Sequence, residues 1–444
     1  MAKRRIVATA LLAAALAWLA LAAMPRAAPR AEACVFLRDP HAYEADAARA
    51  QYFAAMDAAA VDALFPGDPF FGLPPVEAGG RNARTASARR VPQSLLRSIG
   101  WVESNLAMAA RSVPFAATGP ALVSFDCGYG IMQVTTGMTV PLGVNNQPTA
   151  NQVSVATHYA YNIARGAGIL AEKWNGAPEL RPLVGTDTNS DPAIIENWYY
   201  AAWSYNGFTG PGTNRSNHPL DPSFANPRER YRCDGTQSRT RYPYQELVWG
   251  CLASPPVSRG ATLWAPLPVS LPDLSQPAIF GPLSVANFVF PYAAMDLPTP
   301  QPQHIDPAPA VSADLRARAL GAPAPAASRQ SVEVRFDGTP NSGRATVEVS
   351  NSGSGILSWH AVPSANWIVI DPPAGVALGA DVACAGCART GTLTITVNPT
   401  LLQQASARGS VTITAANAGA APVTVSVAVQ ANFEFGAPGT SRTY

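Results

Sequence analysis

The chain has 444 residues, of which 48% are hydrophobic and 14% charged, enough apolar material for two or three domains with real cores. Proline (42) and glycine (34) together fall short of the share that marks wholesale disorder. The formal charge is +2, and setting aside residues 1–33, which carry five basic residues and one acid, leaves −2; this excludes a chain built to neutralise a nucleic-acid backbone.

Lys3, Arg4 and Arg5 precede an uncharged run at 6–23, and Ala31-Glu32-Ala33 offers a small-residue cleavage site before Cys34. This is the pattern of an export signal over 1–33. An uncleaved anchor is the alternative, because 18 apolar residues just suffice to span a bilayer. The expected location is therefore extracytoplasmic, secreted or associated with the cell envelope, without stable membrane insertion once the signal is removed. Export places Cys34, Cys127, Cys233, Cys251, Cys384 and Cys387 in an oxidising compartment. The first four allow three pairings, and the sequence does not choose among them. Cys384-Ala-Gly-Cys387 lies outside any βαβ pattern and reads as a small structural bridge rather than a redox pair.

Residues 41–64 are alanine-rich and predict a helix, and 66–90 read as loop. From Val91 to about Cys251 the pattern is mainly helical. Proline becomes dense from 254 to 330, which predicts an extended linker whose first part wraps on the preceding domain. The runs SVEVRF, RATVEVS, WIVI, GTLTITV, GSVTIT and VTVSVAV then alternate with turn residues, predicting an antiparallel sandwich of about seven strands. The expected domains are 34–255, a linker at 256–328, a sandwich at 329–434 and a tail at 435–444.

The chemistry is expected in the first domain. Over 92–104, Leu95, Ile99, Val102 and Leu106 fall on one helical stripe with Glu103 beside it. Apolar neighbours and the helix C-terminus both disfavour the carboxylate, so its pKa should rise toward that of a general acid. Alone, Glu103 reads more readily as an ordinary exposed helix-end residue, because exposed glutamates are common. Three further segments change that balance: Gly128-Tyr129-Gly130-Ile131-Met132-Gln133, then Asn162-Ile163 with Gly166, then Tyr205-Asn206-Gly207 closing an aromatic helix.

Four motifs in this order over about 91–210 resemble the lysozyme-like lytic transglycosylases, which cut peptidoglycan glycan strands. The resemblance implies a lysozyme-like α+β catalytic domain with Glu103 as the single acid/base. It implies Ser104, Tyr129, Met132, Gln133, Tyr205 and Asn206 as substrate-binding residues, with Tyr205 close to Glu103. The reaction implied is cleavage of the MurNAc–GlcNAc β-1,4 bond to leave 1,6-anhydro ends. Two departures bear on cleft shape: the stretch between Glu103 and Gly130 is long, and an insertion lies near 178–193. Asp126 is the candidate for a second carboxylate, as a hydrolase would require, although a turn residue beside Cys127 is the plainer reading. A goose-type lysozyme-like muramidase and a non-catalytic glycan-binding protein are the alternatives.

No cofactor or metal is expected. The five histidines make no ligand spacing, and Asp187-x-Asn189-x-Asp191 lacks the glycine and distal glutamate of a calcium loop. The segment from Ala365 to Gly375, with the strands after it, resembles the immunoglobulin-like BACON modules of secreted enzymes, which implies a carbohydrate-binding role. Trp359 and Trp367 are candidates to stack on sugar, with core packing of Trp367 as the plainer alternative. The expected partner is peptidoglycan, with no nucleic acid; the oligomeric state and the source of the wall attacked stay open.

Overall fold

The computed structural model describes residues 34–176, 183–208, 216–275, 296–311, 314–337, 342–382 and 386–431. The expected leader, the tail and Cys384 lie outside these residues. Among the described residues, no helix is long and apolar enough to cross a membrane. Cys34 pairs with Cys127 and Cys233 with Cys251, as befits an extracytoplasmic protein.

The first body is mainly helical: α1 (Ala50–Ala60), α2 (Gln93–Ser104), α3 (Ala150–Thr157), α4 (Tyr159–Asn175), α5 (Tyr199–Tyr205) and α6 (Tyr244–Ala253). Helix α1 packs on α4, α2 on α6, and α4 on α5. The helix expected over 41–64 begins only at Ala50. His41–Glu44 instead forms strand β1, paired antiparallel with β2 (Ala117–Pro120). The buried Glu44 carboxylate accepts the amides of Met108 and Ala109, and Asp46 holds the turn into α1 through the amides of Ala48 and Arg49. These side-chain bonds override the helical propensity of the alanines.

The proline-dense region is not a free linker where it is described. Trp264 and Val269 are buried in the helical core. Strand β3 (Leu183–Val184) pairs in parallel with β4 (Asp296–Leu297). Glu196, fully buried, accepts the amides of Ser270 and His304 at 2.9 and 2.8 Å, and also meets His304 Nδ1 at 2.7 Å. Residues 256–275 and 296–311 therefore form a strap stapled to the helices by a buried carboxylate. The polar loop at Asp187 serves the same strap, since its carboxylate accepts the Thr299 amide at 2.8 Å.

The second body is a β-sandwich of nine strands: β5 (Pro325–Ala327), β6 (Ser331–Phe336), β7 (Arg344–Asn351), β8 (Ile356–Pro363), β9 (Ile368–Asp371), β10 (Ala374–Leu378), β11 (Gly391–Val397), β12 (Ser406–Ala415) and β13 (Val423–Ala431). One sheet runs β6-β13-β12-β8-β10 and the other β9-β11-β7-β5. Pairing is antiparallel except for β6 with β13. Strand β8 is buried on both faces. Leu357, Trp359 and Ala361 enter the sandwich core, whereas Ile356 joins the helical core. On that second face Ser358 Oγ lies 2.8 Å from Thr157 Oγ1 of α3. Ala374, Val376 and Leu378 of β10 likewise pack into the helical core. The two bodies thus share one continuous apolar interface.

Candidate active site

Glu103 occupies the last turn of α2. Leu95, Leu96 and Ile99 are buried in the earlier turns of that helix, on the side that also carries Glu103, so its axis is fixed by apolar contact. Its N-terminus has no cap of its own. The strap supplies one: Asp306 accepts the Ser94 amide at 2.8 Å and the Ser94 hydroxyl at 3.0 Å. At the other end, Asn105 adopts the left-handed conformation that closes the helix. Arg239 donates to the carbonyls of Val102 and Trp101 at 3.2 and 3.4 Å and to Asn105 Oδ1 at 2.7 Å, adding donors at the end of the helix.

The Glu103 carboxyl is half-buried, and Tyr244 at the start of α6 donates its hydroxyl to Oε1 at 2.6 Å. Burial pushes the Glu103 pKa up to about 7. The Tyr244 bond and the Arg239 charge oppose that rise, and the nearby charge of Asp126 adds to it. Asp126 itself is exposed and accepts the Ser124 hydroxyl at 2.5 Å within its turn. Tyr205 and Tyr244 both stand within the field of Glu103, and burial raises the pKa of each phenol.

The glycine-rich turn is held against α4. Gly130 has φ +64°, and a Cβ there would meet Met108 Sδ at 2.6 Å, so no other residue fits without movement. Asn162 donates to the carbonyls of Tyr129 and Val155 at 2.7 and 3.0 Å and accepts the Met132 amide at 2.9 Å. One helical turn later, Gly166 leaves room for Met132, whose Cβ would lie 2.5 Å from an added methyl. The Met132 carbonyl then accepts the Tyr205 hydroxyl at 2.8 Å, which ties α5 to the turn.

The residues singled out from the sequence divide accordingly. Glu103 and Tyr205 come together, and Gln133 lies half-buried on the turn with its amide donating to Gly130 O at 2.8 Å. Asn206 is exposed and accepts from Asn217 at 3.2 Å. Ser104, Tyr129 and Met132, which the resemblance implied as substrate-binding, are buried. The Ser104 hydroxyl lies 2.9 Å from the carbonyls of both Gly100 and Ile131, bridging helix to turn. The Tyr129 ring packs against Phe36. Trp359 and Trp367 are both buried in the sandwich core, so neither ring is available to a sugar.

Tyr244 and Arg239 were missed. Both arrive from over a hundred residues away, and an arginine in a loop or a tyrosine after a proline gives no local signal of such a role. Asn162 stood in a recognised motif, yet its part in binding the turn needed the structure to be seen. Among the described residues, no three His, Cys, Asp or Glu side chains are placed to hold a metal ion.

No family model and no curated protein sequence matches the chain. Among solved structures it is similar in part to a Bacteroides ovatus GH5 xyloglucanase, at 17% identity and TM-score 0.17, over 24% of this chain and 19% of that one. It is also similar to the E. coli chaperone DraB, at 10% identity and TM-score 0.19, over 25% of this chain and 56% of that one. A PapD-like domain of human CEP192 is matched at 10% identity and TM-score 0.18, over 24% of this chain and 84% of that one. The chain thus spans less than two thirds of the length of the xyloglucanase and of DraB, and at these TM-scores the likenesses assign neither a family nor an activity.

Proposed function

We propose that this chain is an exported lytic transglycosylase of peptidoglycan, with a lysozyme-like catalytic body, an immunoglobulin-like sandwich of BACON type and Glu103 as its acid/base. The observation that carries the reading is the Glu103 carboxyl: half-buried at a helix end, held by Tyr244 at 2.6 Å, with a pKa pushed up to about 7.

A group with that pKa is suited to both halves of the reaction at neutral pH. Protonated Glu103 gives its proton to the glycosidic oxygen as the bond to C1 of MurNAc breaks. The substrate's own N-acetyl oxygen stabilises the positive charge developing at C1. Glu103, now a carboxylate, takes the proton of the same sugar's 6-hydroxyl, and O6 bonds to C1. The acid is restored, no water is consumed, and a 1,6-anhydro end results. Tyr244 steadies the carboxylate between the two steps, and the Met132 carbonyl anchors Tyr205 beside it.

Asp126 gives a second reading its specific support, because its charge acts on Glu103. A muramidase would use it as the second carboxylate, delivering water instead of O6. The test is digestion of purified peptidoglycan by residues 34–444 and by the Glu103→Gln variant, with mass spectrometry of the products. Anhydro-muropeptides made by the unmodified protein alone support the proposal. Reducing-end products would replace it with the muramidase, and retention of glycan without cleavage would make the chain a binding protein.

A further inference from the structure

From Cys127 to Ala164 the chain contains no Asp, Glu, Lys or Arg. Part of this segment is a surface loop that displays aliphatic side chains to solvent: Val140 is 54% exposed, Leu142 61% and Val144 83%. Leu37, 95% exposed, lines a groove of about 440 Å³ together with Val35, Phe36, Pro141, Pro148, Ile370 and Pro373. Arg38 and His360 are its ionisable lining residues, and Asp39 follows Arg38 in the exposed turn, so the face has little net charge.

The loop is built, not slack. The buried Gln152 donates to the carbonyls of Gly137 and Val140, both at 2.7 Å, and accepts the amides of Leu142 and Thr149 at 3.1 and 3.0 Å. The amides of Gly143 and Gln147 close a further turn onto the carbonyls of Gln147 and Val144. A buried side chain thus commits its whole amide to holding three aliphatics away from the core, where apolar burial would otherwise draw them.

The N-terminal segment says which surface this face meets. The described chain starts at Cys34, which is bonded to Cys127, and the Val35 amide donates to Met138 O at 3.0 Å, so the chain enters the fold on this face. Residues 24–33 join it to the uncharged run at 6–23. Those ten residues reach at most about 36 Å when extended. Until the leader is cleaved, and wherever it is kept as an anchor, the bilayer that holds the 6–23 run lies within that reach of Cys34, where the chain enters beside Leu37 and the Val140–Val144 loop. We infer that this face is a bilayer-docking surface: Leu37 and the Val140–Val144 loop insert among the acyl chains at the membrane interface and hold the folded chain there by apolar contact.

The test is flotation of residues 34–444, which lack the apolar run, with vesicles of phosphatidylethanolamine and phosphatidylglycerol. The partner samples are the Leu142→Glu/Val144→Glu and Leu37→Glu variants, with melting curves to show that each is folded. The unmodified chain is expected to float, to stay bound at about 0.5 M NaCl because the contact is apolar, and each variant to bind at least about tenfold less. Failure of the unmodified chain to float, or equal flotation of both variants, would overturn the inference. So would a dimer in size-exclusion chromatography that the same substitutions break while the vesicles stay bare, since the face would then belong to a second copy. None of these outcomes depends on glycan cleavage.

Discussion

Tyr244→Phe removes the hydroxyl that the structure places 2.6 Å from Glu103 Oε1. A hydrogen bond to an ionised group contributes about 1.5–3 kcal/mol. Part of that bond survives when the acid is protonated, and water reaches the half-buried carboxyl, so about half is the differential. This corresponds to a shift of roughly one pKa unit. The sign is fixed: the bond favours the carboxylate, so its loss moves the Glu103 pKa up from about 7 toward about 8. The proposed cleavage needs Glu103 protonated at the outset, so on that proposal the alkaline limb of the rate profile moves up with it. Asp126→Asn acts in the other direction, because the Asp126 charge raises the Glu103 pKa. Its effect is a few tenths of a unit and shrinks with salt, since Asp126 is exposed. The assay is muropeptide release between about pH 5 and about pH 9. A Tyr244→Phe limb that stays in place or moves to lower pH would refute the reasoning, as would two variants that shift the same way.

The raised Glu103 pKa also bears on stability. An unfolded glutamate ionises near 4.5, so between that value and about 7 the folded state binds more protons and loses stability as pH rises. Glu103→Gln should therefore stabilise the protein at pH 8 by up to about 3 kcal/mol and leave it unchanged below about pH 4, as melting curves at the two pH values would show. Gly166→Ala sets a methyl 2.5 Å from Met132 Cβ and should cost about 1–3 kcal/mol in a denaturant titration. Replacing Cys34 and Cys127 by serine opens a link between residues 93 apart in sequence and should cost roughly 4 kcal/mol, measured the same way under oxidising conditions. A fragment ending at residue 255 lacks Ser270, His304 and Asp306, which leaves Glu196 buried without these partners and α2 uncapped. It should melt without cooperativity and lose its near-ultraviolet circular dichroism; a sharp transition at the temperature of the longer chain would show the strap to be dispensable.

The sequence carried what is periodic. The stripe of Leu95 and Ile99 placed α2 within a residue, and the alternating runs located most of the sandwich. Strands β8 and β10 escaped because both faces of each are buried, so ILSWHAV and AGVAL show no alternation. The strap was legible only in part: proline density reports an extended backbone whose first part wraps on the helices but not what holds it, and Glu196 in the sequence does not advertise three hydrogen bonds to residues 74 and 108 positions on. Within the site, the place of Glu103 and its raised pKa followed from neighbours on its own helix. Tyr129, which the resemblance implied as substrate-binding, instead turns its ring inward against Phe36.

The carboxyl that suits the site to acid chemistry is also the one that strains α2. A half-buried acid at a helix C-terminus opposes both burial and the helix dipole. The structure offsets that strain from segments lying after the motif region. Asp306 from the strap satisfies the first turn, Arg239 takes the carbonyls of the last turn, and Tyr244 from α6 bonds the carboxyl itself. The strap is in turn fixed by Glu196, which immediately precedes α5, the helix whose Tyr205 is tied to the glycine-rich turn. The order of dependence runs from the strap through both helices to Glu103, so the short run of motifs at 91–210 contains the proposed acid while residues beyond it hold its carboxyl in place.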